Sequence, residues 1–333
     1  MIKSKKLILL FFSAFALLVI SLTPFIGMET IPFETILNFD STNIKTDIFW
    51  RLRVPRVLIA FVAGSALAIS GMTFQAMFRN SLATPFTLGV SSGAAFGAAL
   101  YVKLGIIFSF LGIVGQTIFA FVGALISIII IYTLSKIKRG FSVGTMLLAG
   151  VAINFFFSSF ILFIQFMSDF TESFSIMRWL MGGFEIIGYS DIYNILPFII
   201  IGSAIIIFLS TELNLLTLGE DIAISRGVSV SKIKNTLFIA TSLMVSGVIS
   251  VVGPIGFVGM MIPHISRLII GSDHRYLVFL NIIVGGAFLI LCDTLARTLI
   301  APAEIPVGVI TALLGGPFFI WLLINNSNDD SSI

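Results

Sequence analysis

The sequence predicts an all-α polytopic membrane protein of about ten transmembrane helices, and three observations carry that expectation. Charged residues, 19 Lys or Arg and 16 Asp or Glu, make up 11% of the 333, where soluble domains carry roughly a quarter. Hydrophobic residues make up 58% before the 29 glycines, 34 residues are Phe, and the mean hydropathy is +1.12. That leaves too little polar surface to clothe a water-soluble particle, which excludes a soluble enzyme. The apolar residues also fall into runs of about 20, the length a helix needs to cross hydrocarbon while satisfying its own backbone. The pI is about 9.1, but the net charge is only +3 and the basic residues are scattered between apolar runs. No nucleic-acid partner is therefore expected.

Taken in order, the first run, 7–27, follows Lys3, Lys5 and Lys6 in the manner of a signal peptide. No small-x-small cleavage site precedes the next polar segment, so it reads as an uncleaved first helix. The second run, 55–78, repeats small residues at four-residue steps in Ala60, Gly64 and Ala68, and the third, 89–108, does so in Gly89, Gly93 and Gly97. Such faces let helix backbones approach closely and predict tight packing. The fourth run is 112–134. The fifth, 142–167, sets Gly150, Asn154, Ser158 and Gln165 near one face. Polar side chains in lipid face a bundle interior or a water-filled path, so this face lines a path or subunit interface, or else makes interhelical hydrogen bonds alone.

The sixth run is 191–210. Between 235 and 270 an apolar stretch is interrupted by Gly253-Pro254, which reads as one kinked helix or as two short ones, 235–252 and 255–270. The ninth run, 277–300, carries Asp293 and Arg297 four residues apart, a spacing that lets them pair while leaving the arginine able to reach outward. It also holds Cys292, the single cysteine, read as a small buried hydrophobe. The tenth run is 306–324.

Lys and Arg in short loops stay preferentially on the cytoplasmic side. With the N-terminus inside, twelve of the 19 fall inside, and seven fall outside: Lys45, Arg51, Arg53, Arg56, Lys103, Arg178 and Arg297. Both termini are therefore expected to be cytoplasmic, and parity requires the stretch around Gly253 to be an out-and-back pair. Arg51, Arg53 and Arg56 form a basic cluster on the disfavoured face, which calls for a reason.

The cytoplasmic segment 213–234, within a loop of about 211–234, mixes acids, bases and glycine punctuation. Gly219 and Gly227 bracket Glu220 to Arg226, enough for about two helical turns. A short helix at the membrane surface suits docking to a soluble partner; the alternative is a solvated connector. There is no Gly-Lys dipeptide, hence no phosphate-binding loop. His264 and His274 lie ten apart with no HExxH or carboxylate cluster, so no metal site is expected.

These pieces resemble a known family. They are Arg53-Val-Pro-Arg56; GSALAISGMTFQAMFRNSLATPFTLGVSSGA from Gly64; LLAGVAI from Leu147; RWLMGGF from Arg178; LNLLTLGEDIAISRGV from Leu213; GPIGFVGMMIPHISRLIIG from Gly253; Asp293 to Arg297; and EIPVGVITALLGGPFFIWLL from Glu304. In this order, and over nearly the whole chain after about residue 50, they are similar to the FecCD/BtuC-type permease subunits of type II ABC importers for iron-siderophore, haem and cobalamin. The resemblance implies a single ten-helix permease domain in a bacterial or archaeal cytoplasmic membrane, paired with a second permease copy around a central path. Two ATPase subunits beneath would hydrolyse ATP with Mg, this chain binding no cofactor itself. It implies coupling to the ATPase through Leu218, Gly219, Glu220, Asp221, Ala223, Arg226 and Gly227. An extracytoplasmic substrate-binding protein would dock its acidic residues on Arg53, Arg56 and Arg297, and the fifth and tenth spans would line the path. A cytoplasmic gate is implied near Ser142 and Thr145, although Val143-Gly144 stand where some members carry hydroxyl residues. The alternative, an ion-gradient-driven secondary transporter, calls for ionisable residues near the bilayer midplane and inverted repeats; an integral membrane enzyme calls for a polar catalytic cluster. Neither feature is evident, and which chelate is carried is not legible.

Overall fold

The computed structural model describes residues 2–27, 29, 31–32, 44–110, 112–137 and 143–329. In order they form α1 (Ile2–Leu22), a 3-10 turn (Thr23–Phe25), α2 (Ile44–Asp47), a π-helical turn (Ile48–Arg53) and α3 (Val54–Phe78). There follow α4 (Val90–Leu104), a hairpin of β1 (Ser109–Phe110) and β2 (Ile113–Val114), α5 (Gly115–Ile137), α6 (Val143–Phe166) and α7 (Phe170–Leu180). The rest is α8 (Ser190–Phe208), α9 (Ser210–Leu218), α10 (Glu220–Ser225), α11 (Val230–Val252), α12 (Val258–Ile270), α13 (His274–Thr298) and α14 (Val307–Asp329). Among these residues 7 helices are long and apolar enough to cross a membrane, and three shorter apolar ones complete the set: α4, α12 and Val307–Leu322 of α14. They stand at the ten expected stretches. The doubtful one resolves into two helices, with α11 ending at Val252 and α12 starting at Val258 beyond Gly253-Pro254.

Three features depart from expectation. The second span starts upstream of Pro55, running as continuous helix from Ile44 through a widened turn. The third span is trimmed at both ends, because Gly89 and Gly105 adopt the left-handed conformation that caps α4. The loop after the fifth span contains α7, opened by a capping box in which Asp169 accepts from the Glu172 amide at 2.8 Å and Glu172 accepts from the Asp169 amide at 3.2 Å. Lys103 donates to the same Glu172 carboxylate at 2.9 Å, and that hydrogen bond holds the carboxyl below its ordinary range.

The core is built round α3. Residues 63–78 are buried on every side, so the helix needs partners all round, and it finds them in α8, α9, α11, α12 and α13. Small residues set the distances. A Cβ on Gly64 would overlap the Gly285 carbonyl on α13, and one on Gly71 would overlap the Gly259 carbonyl on α12. Between α4 and α5 the same holds of Gly93 against Gly123 and Gly97 against Phe119. Close packing replaces the hydrophobic drive that lipid does not supply, so the four-residue small-residue pattern does what its spacing predicts. Cys292 is 1% exposed within the core, as expected.

The two ends of the bundle are distinct. Lys5 Nζ lies 5.1 Å from the Tyr276 ring centroid at the start of α13, and Arg297 Nη1 at its far end donates to the Ile26 carbonyl at 3.0 Å, so α1 and α13 run parallel. The N-terminus, α9, α10 and Asp273 therefore share one face, and Arg53, Arg56, Arg297 and Glu304 share the other. α14 starts beside Glu304 and runs from Val307 back toward the α10 face.

Candidate functional site

On the arginine face the three predicted arginines converge, although Arg56 and Arg297 are separated by most of the chain. Arg56 Nη2 lies 2.9 Å from Asp293 Oδ1, and its Nη1 donates to Glu304 Oε2 at 2.8 Å. Arg297 Nε is 3.1 Å from Asp293 Oδ2, confirming the four-residue pair, though out of hydrogen-bond alignment. Its other nitrogens donate to Ile26 O and Thr294 Oγ1. Arg53 donates to the Pro24 carbonyl at 3.1 Å and the Glu29 carbonyl at 2.6 Å. Two arginines thus neutralise one carboxylate whose side chain is 1% exposed, and the third ties down the chain that follows α1.

The outward reach allowed for Arg297 is not realised: its side chain is 7% exposed, because Asp293 and the end of α1 enclose it. The freely exposed arginines here are Arg51, paired with Asp47, and Arg178, paired with Glu185. Glu304, half-exposed on Arg56, is the rim residue that sequence reasoning missed. Beside it opens a cavity of about 580 Å³, lined among others by Arg56, Gln116, Arg178, Glu185, Asp191 and Glu304.

The polar face of α6 divides. Gly150 is packed against the backbone at Thr87 and Leu88, and Asn154 Nδ2 donates to the Thr87 carbonyl at 3.5 Å. Ser158 is exposed, and Gln165, half-buried, accepts through its backbone carbonyl from Ser173. Half of this face therefore packs within the chain and half is open, flanked by exposed Phe155, Phe156 and Phe163. Two apolar cavities lie beside the break between α11 and α12. One of about 470 Å³ is lined by Leu180, Met181, Pro254, Ala312 and Leu313, another of about 200 Å³ by Leu67, Thr84, Val245 and Met260, and Phe86, Gly256 and Phe257 line both. Of the gate pair, Thr145 is half-buried in the first turn of α6 and Ser142 lies outside the described residues.

On the opposite face the bracketed segment is the short helix α10, as expected, and α9 is an additional helix before it. Leu218, Asp221 and Arg226 are exposed, with Ile222 and Ile224 beside them. Ala223 is 0% exposed, turned inward against the chain's own helices. It supports the outward face from behind and does not belong to it. Glu220 is tied to Lys234 at 2.5 Å, a partner the sequence did not reveal. Asn214 on α9 donates to Asp273 at 3.0 Å, and hydrogen bonds from Arg275 hold the Asp273 carboxyl well below the usual carboxylate range.

Between α9 and α10 the backbone turns at Gly219 with φ 137° and ψ 151°, a conformation reserved for glycine. A Cβ there meets only Ile222, at 3.9 Å, so Gly219→Ala adds strain without a clash. With a cost of about 1–3 kcal/mol, this substitution is expected to raise the rate of limited tryptic cleavage at exposed Arg226 by roughly tenfold in detergent, since about 1.4 kcal/mol is a factor of ten in population. An unchanged cleavage rate would show that the turn is not held in this geometry.

The FecCD transport family profile matches residues 11–325. The chain is 38% identical to the hemin transport system permease protein HmuU of Yersinia pestis, over 92% of this chain and 91% of that protein. It is 37% identical to the cobalamin import system permease protein BtuC of Halobacterium salinarum, over 88% and 78%, and 40% identical to the uncharacterized ABC transporter permease protein YvrB of Bacillus subtilis, over 86% and 82%. Among solved structures, an ABC transporter of the metal-chelate type in an inward-facing conformation matches with a TM-score of 0.85 at 29% identity, covering 96% of this chain and 99% of that one.

Proposed function

This chain belongs to the FecCD transport family, and from that premise we propose that it is the permease subunit of an ABC importer that carries a metal chelate of the haem, cobalamin or ferric-siderophore class. The cargo reading is supported by what its relatives HmuU and BtuC are named for and by the apolar lining of the two cavities beside Gly256 and Phe257. A bulky chelate needs a wide, weakly binding path. On this reading a second copy closes the open half of the α6 face at Ser158, together with α14. Two ATPase subunits dock on Leu218, Asp221, Ile222, Ile224 and Arg226 from the cytoplasm and hydrolyse ATP there. A loaded binding protein docks outside, over Arg53 and Arg56, with enclosed Arg297 holding Asp293 beneath them, and ATP-driven movement of α10 switches the access of the path.

The observation that carries the reading is the arrangement of opposite ends: a basic rim at one face, a projecting glycine-hinged helix at the other, and apolar cavities between them. The rim makes the docking step specific. Arg56 is already shared between buried Asp293 and half-exposed Glu304, so an incoming carboxylate would take the place of Glu304. Such pairs act on docking more than on fold stability.

Glu304→Gln is therefore expected to tighten association of the binding protein with the permease in nanodiscs about threefold, and Arg56→Gln to weaken it about tenfold, as lost charge pairs at interfaces do. Binding titration measures both. If neither substitution changes the affinity, the rim is a structural cluster and docking takes place elsewhere. Offering haemin, cobalamin and a ferric siderophore in turn to proteoliposomes containing the full assembly identifies the cargo.

A further inference from the structure

The two short helices on either side of Gly219 are tied to different long helices. α10 is held by Lys234 Nζ, which meets Glu220 Oε1 at 2.5 Å from the first turns of α11; the Lys234 side chain is 3% exposed while Glu220 is half-exposed. α9 is held by Asn214, whose Nδ2 donates to Asp273 Oδ1 at 3.0 Å. Asn214 Oδ1 accepts from the His274 amide at 2.9 Å and lies 2.7 Å from the His274 ring Nδ1, so Asn214 grips the first residues of α13. Between these attachments stands one glycine in a conformation that other residues do not adopt.

The two long helices lead to different places. α11 runs 23 residues to Gly253, where Pro254, Gly256 and Phe257 form walls of the apolar cavities. α13 runs 25 residues to Asp293 and Arg297 at the arginine rim. Helices of that length behave as rods, so displacement at one end arrives at the other.

We infer that Lys234 and Asn214 are positioning residues that divide the motion of the docked ATPase: Lys234 passes movement of α10 to the cavity wall through α11, and Asn214 passes movement of α9 to the docking rim through α13. Glu220 then serves the permease from behind and is not a contact offered to the ATPase. Withdrawal of Glu220 would strand a buried ammonium, which keeps α10 and α11 moving as one body. This inference rests on the reading of α10 as the docking helix and adds the two links behind it.

The test uses the complete assembly of permease, ATPase and binding protein in liposomes, with co-purification of the ATPase and binding-protein-stimulated ATP hydrolysis as cargo-independent readouts. Lys234→Met removes the buried charge without stranding one. It should leave the melting temperature and ATPase co-purification unchanged and lower the stimulation at least tenfold. The exchange Lys234→Glu with Glu220→Lys rebuilds the pair in reverse and should restore stimulation to within threefold. Asn214→Ala should lower stimulation as well, with the ATPase still bound.

Wild-type stimulation in both Lys234→Met and Asn214→Ala would overturn the inference. So would loss of ATPase co-purification in Lys234→Met that the exchange does not restore, since Glu220 would then be a docking contact. If the unaltered permease neither retains the ATPase nor stimulates it, the docking reading itself fails and takes the links with it. A variant that does not fold is recognised by its melting temperature, and the exchange then decides alone.

Discussion

Gly71→Ala is expected to yield a chain that enters the membrane but does not close its core. The α3 and α12 backbones touch at Gly71 and Gly259, where a single added methyl group would overlap a main-chain carbonyl. A flexible side chain could step aside; a carbonyl at the start of a helix cannot. α3 is also confined by α8, α9, α11 and α13, so it has no direction in which to retreat. Overpacking of side chains costs about 1–3 kcal/mol and occasionally more, and a backbone collision belongs at or above the top of that range. In size-exclusion chromatography the variant should lose its monodisperse peak, while Gly256→Ala, where a Cβ meets nothing within 4 Å, should keep it. A monodisperse Gly71→Ala protein with an unaltered melting temperature would refute the close approach of these helices.

Asp293→Ala should be the most damaging change at the arginine rim. The carboxylate is the shared counter-charge of Arg56 and Arg297, and all three side chains are largely or wholly enclosed. Removing it leaves Arg297 with neutral acceptors alone and Arg56 with only half-exposed Glu304. Breaking a buried ion pair by deleting one partner costs about 3–5 kcal/mol, whereas replacing the whole group with apolar residues is often near neutral. Thermal unfolding in detergent should therefore show a large drop for Asp293→Ala and substantial recovery in Asp293→Ala with Arg297→Leu. A double variant no better than the single one would mean that Arg297 acts through the Ile26 carbonyl and not through the charge.

The places where the sequence was legible share a physical cause. Long apolar runs report membrane-spanning helices directly, because lipid leaves the backbone no alternative, and Asp293 with Arg297 is a helix-periodic pair that needs no knowledge of the rest of the fold. Gly253-Pro254 marks its own break. Contacts remote along the chain leave no such mark: nothing in the spacing of Arg56 and Asp293 brings them together, and Lys234 reaches Glu220 only because the chain turns at Gly227. The inward orientation of Ala223 was hidden for a different reason, since a helix as short as Glu220–Ser225 has too few residues to show a periodic face. α7 is the omission that could have been avoided. Asp169 and Glu172 stand at capping-box spacing, and the mixed aromatic and polar sequence after them obscured an otherwise ordinary helix start.

The shortness of α12 bears on how the chain is made. Thirteen residues span about 20 Å against roughly 30 Å of hydrocarbon, so the stretch from Pro254 to Phe257 exposes backbone at a depth where only protein can shelter it. One shelter, the turn at Gly182 after α7, packs on the Pro254 carbonyl and is synthesised before α12. The other is α14, where Gly308 lies against the Pro254 carbonyl and Gly315 against the Phe257 ring, and it is synthesised after α12. Until it arrives the seam at Pro254 stays unfinished, however well the earlier helices have inserted. α14 is thus the keystone of biogenesis, and a chain cut short before it would present quality-control proteases with an open seam between the helices already inserted.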